Sequence, residues 1–167
     1  AAKSFRQAVK LKPDFPLGYS NLADTLQELT KMETAEASYK KAIVLNSNIP
    51  ESHNNLGNAL KAQGKLKGAK TSYEHAIVLK SKFSEAHNNL GNTLRELGRL
   101  EEAVASFNEA IALKPDSAIA HSNLGYTLKE LGKLAEAEAS LTRAIALQPD
   151  SAEAHYNLGN TLKQHVS

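Results

Sequence analysis

The chain has 167 residues, 41% apolar and 23% charged, a balance that provides for a buried core and excludes a disordered polymer. Its 20 basic and 18 acidic residues leave a formal charge of +2 spread along the chain, which excludes the single-sign field that nucleic acid or an anionic membrane needs. Cysteine is absent, which removes disulfides, thiolate metal sites and a thiol nucleophile and agrees with a cytoplasmic location. No apolar run approaches the ~20 residues of a membrane-spanning helix, and the opening AAKSFRQAVK lacks the apolar stretch of a signal peptide.

Residues 1–15 begin with Ala1, Phe5 and Ala8, spaced four and three apart, one face of a helix. Residues 16–49 place Leu22-Ala23 in a first helix and Ala35, Tyr39 and Ala42 in a second. The pattern returns in 50–83 as Leu56-Gly57, then Ala69, Tyr73 and Ala76, with Gly64 between the helices as a left-handed C-cap. In 84–117 it reads Leu90-Gly91, Gly98, Ala103, Phe107 and Ala110, and in 118–151 Leu124-Gly125, Gly132, Ala137, Leu141 and Ala144. Residues 152 to 166 supply one more first helix around Leu158-Gly159. Every Leu-Gly interval is 34 residues, so the chain is predicted to be a single array of four helical hairpins, 16–49, 50–83, 84–117 and 118–151. A lone second helix (1–15) precedes them and a lone first helix (152–167) follows.

Pro115-Asp116-Ser117 and Pro149-Asp150-Ser151 stop one helix and cap the next, whereas 46–48 and 80–82 lack that signal. Each Gly of the Leu-Gly column costs about 1 kcal/mol in a helix interior, which marks the place where two helices approach most closely.

The run His121, Ser122, Asn123, Leu124, Gly125, Tyr126, Thr127, Leu128, followed by Ala137, Leu141, Ala144 and Pro149, resembles the tetratricopeptide repeat over nearly the whole chain. In place of that family's first aromatic column stand Tyr19, His53, His87, His121 and His155. Residues 152–160 are similar, more narrowly, to the repeats preceding the catalytic domain of O-linked N-acetylglucosamine transferases and their bacterial relatives. The resemblance implies an all-α fold, a right-handed α-α superhelix of antiparallel hairpins whose first helices line a concave groove. It also implies a scaffold for protein interaction, the module of a larger protein, rather than an enzyme.

One polar column stands out: Asn21, Asn55, Asn89, Asn123 and Asn157, two residues before each Gly position. Five mid-helix asparagines cost about 3 kcal/mol relative to alanine, so a compensating role is expected. Asn58, Asn92 and Asn160 lie one turn further on the same face. A carboxamide both donates and accepts, so it grips a peptide backbone without reading side chains. The resemblance implies the same, since such a ladder holds extended polypeptide in the glycosyltransferase family. The alternative is that these amides bond between neighbouring helices and bind nothing.

Ligands on successive repeats cannot converge on one ion, so the histidine column is no metal site and no cofactor is expected. The heat-shock chaperones' clamp for a C-terminal carboxylate is missing: its lysine column reads Ser20, Asn54, Asn88, Ser122 and Tyr156, and the column three residues upstream carries Glu51, Glu85 and Glu153. Residues 50–83 hold six lysines against two glutamates, a net +4, and 84–117 six acids against three bases, a net −3; they are read as solvated faces, with steering of a partner by adjacent opposite patches as the alternative. The two ends are complementary halves of one hairpin. Phe5, Ala8, Val9 and Leu11 at one end and Leu158, Leu162 and Val166 at the other are therefore expected to support head-to-tail association of copies, a structural self-assembly role that competes with peptide binding.

Overall fold

The structure, a computed structural model, describes residues 1–165. It is all-α, with ten helices among the described residues, in two compact units, Ala1–Ser81 and Lys82–Ser167.

The first unit holds α1 (Ala2–Leu11), α2 (Pro16–Glu28), α3 (Met32–Leu45), α4 (Pro50–Ala62) and α5 (Leu66–Leu79). Helices α2 and α3, and α4 and α5, form tight hairpins; α3 packs on α4, α1 on α2, and the first helices α2 and α4 touch. The second unit holds α6 (Ser84–Glu96), α7 (Leu100–Leu113), α8 (Ala118–Glu130), α9 (Leu134–Leu147) and α10 (Ala152–His165). There α6/α7 and α8/α9 are hairpins, α7 packs on α8 and α9 on α10, and the first helices α6, α8 and α10 are neighbours in turn.

The repeated columns form the core. Ala35, Tyr39, Ala42, Ala69, Tyr73, Ala76, Ala103, Phe107, Ala110, Ala137, Leu141 and Ala144 are all buried. A Cβ on Gly57 would stand 2.5 Å from the Tyr73 ring, on Gly91 2.7 Å from Phe107, and on Gly125 2.6 Å from Leu141. These glycines exist because the large residue of the second helix lies against the first helix's backbone. Gly159 on α10, after which no helix follows in this chain, meets nothing within 4 Å.

Gly64, Gly98 and Gly132 have φ of 72°, 74° and 74°. The next residue's N–H reaches back five positions, as from Lys65 to Leu60 O at 2.9 Å, closing a Schellman turn. In the first hairpin the same turn is made by Thr30 at φ 59°. Ser117 and Ser151 cap α8 and α10, each Oγ accepting the N–H three residues on at 3.3 Å. Helices α2, α4 and α6 instead have Phe15, Ile49 and Phe83 at the N-cap with no side-chain cap, and α2 and α4 start on Pro16 and Pro50. At 46–48, Asn46 Oδ1 accepts the Asn48 N–H at 3.1 Å, an Asx turn in place of Pro-Asp.

The histidine column has a local task. Nε2 of His53, His121 and His155 lies 2.9, 3.1 and 2.9 Å from the carbonyl oxygen six residues earlier. A ring nitrogen facing a carbonyl is the protonated donor, so each ring ties its helix to the turn that enters it. At the outer helices, Phe5, Ala8 and Val9 are half-buried while Leu11 and Leu162 are exposed; Val166 lies outside the described residues.

Candidate functional site

The asparagine column sits on the first helices: Asn21 on α2 and Asn55 on α4 in the first unit, Asn89 on α6, Asn123 on α8 and Asn157 on α10 in the second. Asn21, Asn55, Asn89 and Asn123 are half-buried, and Asn157 is 4% exposed. Beneath the column runs a second repetition. Thr25, Thr93, Thr127 and Thr161 each donate Oγ1–H to the backbone carbonyl of the column asparagine one turn earlier, at 2.8–2.9 Å. Thr93, Thr127 and Thr161 are fully buried, so the hydroxyl is satisfied locally and the helix is held on its inner side.

Neighbouring first helices are joined through the column amides. Asn55 Nδ2 donates to Asp24 Oδ1 on α2 at 3.1 Å, and Asn123 Nδ2 donates to Asn88 Oδ1 on α6 at 3.1 Å. A carboxamide carries two N–H donors and an oxygen with two lone pairs, so each bond uses one of four capacities.

The register of Asn58, Asn92 and Asn160 is less uniform than the sequence pattern shows, because Asp24 and Tyr126 hold the same place in their repeats. Asn58 Oδ1 accepts from the buried Tyr73 hydroxyl at 2.7 Å. Asp24 does the same for Tyr39 at 2.6 Å, with Gln27 Oε1 a second acceptor at 3.1 Å. Burial and the Asp24 carboxylate push the Tyr39 hydroxyl well above its ordinary range, so it stays a donor. Where the core residue is Phe107 or Leu141 no acceptor is needed, and the register carries Asn92 and Tyr126. Sequence reasoning missed Asp24 and Tyr126; the signal was available as a break in an otherwise amide register.

Two clefts open on these faces. In the first unit Asp24, Gln27, Glu28, Met32, Tyr39 and Asn55 line about 410 Å³. In the second, Arg95, Glu96, Tyr126, Glu130, Glu153 and Asn157, from α6, α8 and α10, line about 270 Å³. No group of acidic or histidine side chains among the described residues has a geometry to hold a metal ion, and no described helix is long and apolar enough to cross a membrane.

The TPR repeat family matches residues 31–64, 57–95, 91–132 and 125–166. The chain belongs to the TPR repeat family. TPR repeats are in general non-catalytic scaffolds for protein interaction. No curated protein matches the chain. Among solved structures, YrrB, a TPR protein with an unusual peptide-binding site, is 27% identical with a TM-score of 0.84, covering 99% of this chain and 85% of YrrB. MamA is 22% identical at a TM-score of 0.85, covering 91% of this chain and 89% of MamA. A chain of the APC/C hetero-tetramer Cut9-Hcn1 is 20% identical at 0.86, covering 96% of this TPR chain and 32% of that one. The last two share the fold with it.

Proposed function

We propose that the chain binds extended polypeptide along its first helices, with the asparagine column as the backbone-gripping element. The carrying observation is the half-buried state of Asn21, Asn55, Asn89 and Asn123: Asn55 and Asn123 each spend one donor on the preceding first helix, which fixes the amide, and although Asn55 Oδ1 also accepts from Asn54 Nδ2 at 3.4 Å, both keep part of their hydrogen-bonding capacity. A pre-oriented amide binds without first losing rotamer freedom. Asn21, Asn89 and Asn157 repeat the position, and Asn92 and Asn160 extend it by one turn, whereas Asn58 serves Tyr73. The peptide-binding site named for YrrB, 27% identical, supports the same ligand class. A role as the recognition module of a larger protein goes with this reading.

The test is Asn55→Ala, Asn89→Ala and Asn123→Ala combined, against random 12-residue peptides displayed on phage. The expected result is unchanged helicity, since alanine is the better helix former by about 0.6 kcal/mol per site, with binding of the selected peptides at least tenfold weaker. Loss of folding with binding retained would assign the column to structure alone. A second reading, stacking of copies through α10, is favoured by Leu162 at 41% exposed and by the open space over Gly159. A mass that rises with concentration is its signature.

A further inference from the structure

The cleft between α6, α8 and α10 interrupts the amide register with an aromatic ring and surrounds it with charge. Arg95 Cζ lies 4.9 Å and Lys129 Nζ 4.6 Å from the Tyr126 ring centroid, so both cations rest on the ring. The lining also holds three carboxylates, Glu96, Glu130 and Glu153. Glu130 and Glu153 make no ion pair or hydrogen bond with any described residue. With Lys129 on the ring beside Arg95, the cleft gathers three carboxylates against two cations, a net negative charge in a chain whose formal charge is +2.

Asn157 supplies an independent sign of a ligand. It is 4% exposed and lines this cleft, and its side-chain amide has no hydrogen-bond partner among the described residues, although its backbone carbonyl accepts from Thr161. No buried side-chain nitrogen or oxygen among the described residues lacks a partner, so the polar atoms of this amide open on the cleft and stand ready to meet what enters it. Among the described residues these carboxylates do not converge as metal ligands would, which favours an organic cation over a metal ion. The first-unit cleft has the same sign: Asp24 and Glu28 line it with no basic residue.

We infer that the cleft of α6, α8 and α10 receives a lysine or arginine side chain of an extended polypeptide, with Glu130 and Glu153 meeting its charge and Asn157 accepting a hydrogen bond from it. This rests on the peptide-binding reading and adds the ligand's chemistry: a segment carrying basic residues. An acidic side chain would face the three glutamates, so selection runs by repulsion as well as attraction.

The experiment uses the 167-residue chain and three fluorescein-labelled 12-residue peptides of Gly, Ser, Thr and Ala, one neutral, one with two arginines and one with two glutamates in their place, measured by fluorescence anisotropy. The arginine peptide is expected to bind about tenfold tighter than the neutral one, the worth of one charge-assisted contact, and the preference should shrink as salt rises. E130Q with E153Q should remove the preference and leave neutral-peptide binding in place. Y126N, checked for helicity by circular dichroism, should weaken the preference while the glutamates remain. Equal binding of neutral and arginine peptides, or tighter binding of the glutamate peptide, overturns the assignment while peptide binding itself stands. No binding by any peptide overturns both. Free arginine competing as strongly as the arginine peptide would make the occupant a small molecule, and the polypeptide assignment would fail.

Discussion

The two units are built from the same hairpin but use the polar residues of their first helices differently. In the first, the core residues Tyr39 and Tyr73 each bring a hydroxyl inside, and Asp24, Gln27 and Asn58 are spent as its acceptors. In the second, Phe107 and Leu141 fill the same space without a hydroxyl, and Asn92 and Tyr126 are released from that duty. The first unit also carries a buried carboxylate, Glu36, held by Lys40, Lys65 and Gln63 at 2.6, 2.7 and 3.0 Å. Its first hairpin turns on a threonine, where the second unit turns on Gly98 and Gly132. One oxygen on a core ring thus decides whether a first-helix residue serves as its acceptor or is released from that task.

The comparison requires both units to share one crossing geometry, and the glycine column tests that with the largest expected effect. Gly57→Leu and Gly91→Leu should each cost about 3 kcal/mol or more, since the added side chain meets the Tyr73 or Phe107 ring where even a Cβ stands 2.5 or 2.7 Å away. Gly159→Leu, with nothing within 4 Å, should stay within about 0.5 kcal/mol. Urea unfolding of the three variants measures this. Equal costs in all three would mean that the column owes its glycines to something other than the crossing.

Much of this was legible beforehand because packing repeats with the sequence. The Leu-Gly, Ala-aromatic-Ala and inter-helix glycine columns each answer a steric demand that recurs every 34 residues, so periodicity exposes them. The Ser117 and Ser151 caps follow from the same logic. Illegible were the contacts made once. Glu36 with Gln63 and Lys65 spans 27 and 29 residues and occurs in a single place, and Asn55 with Asp24 joins different columns. The tie from each histidine ring to a carbonyl six residues back did recur. It stayed hidden because its partner is backbone, which carries no sequence signal. The asparagine column was legible as a column; that Asn55 and Asn123 brace the preceding first helix depended on which residue each one faces.

Glu36 offers the next effect, confined to the first unit. The ammonium groups of Lys40 and Lys65 outweigh burial and hold its carboxyl down at about 2, against an ordinary 4.5. A depressed carboxyl pKa contributes stability that is fully present above about 4.5 and is lost as pH falls toward about 2. Because the two lysine side chains are 58% and 52% exposed, solvent screening reduces the contribution to on the order of 1 kcal/mol. Glu36→Gln should therefore lower stability at pH 7 by that amount and flatten the fall between pH 5 and pH 2. Urea midpoints of both proteins across that range decide it: parallel curves would mean that Glu36 titrates as it does in the unfolded chain.

The smallest effect would erase one difference between the units. Thr30 stands at φ 59° in the turn that glycine makes in the other three hairpins, with its N–H bonded to Gln27 O and the following Lys31 N–H to Leu26 O, both at 2.9 Å. A β-branched residue in the left-handed region costs about 1–2 kcal/mol, since its Cβ crowds the backbone. Its hydroxyl bond to Leu29 O at 2.7 Å is solvent-exposed and offsets little of this. Thr30→Gly removes the strain but gives the unfolded chain more freedom, a loss of about 0.5–1 kcal/mol. The net expectation is a gain of about 0.5–1 kcal/mol, read as a higher urea midpoint with an unchanged slope. Gly98→Thr should shift the midpoint the other way by a similar amount, because it places the same strain in a turn where φ is 74°. An unchanged or lower midpoint for Thr30→Gly would show that the α2–α3 turn is relaxed with threonine in place, and that the two units do not differ in backbone strain at this position.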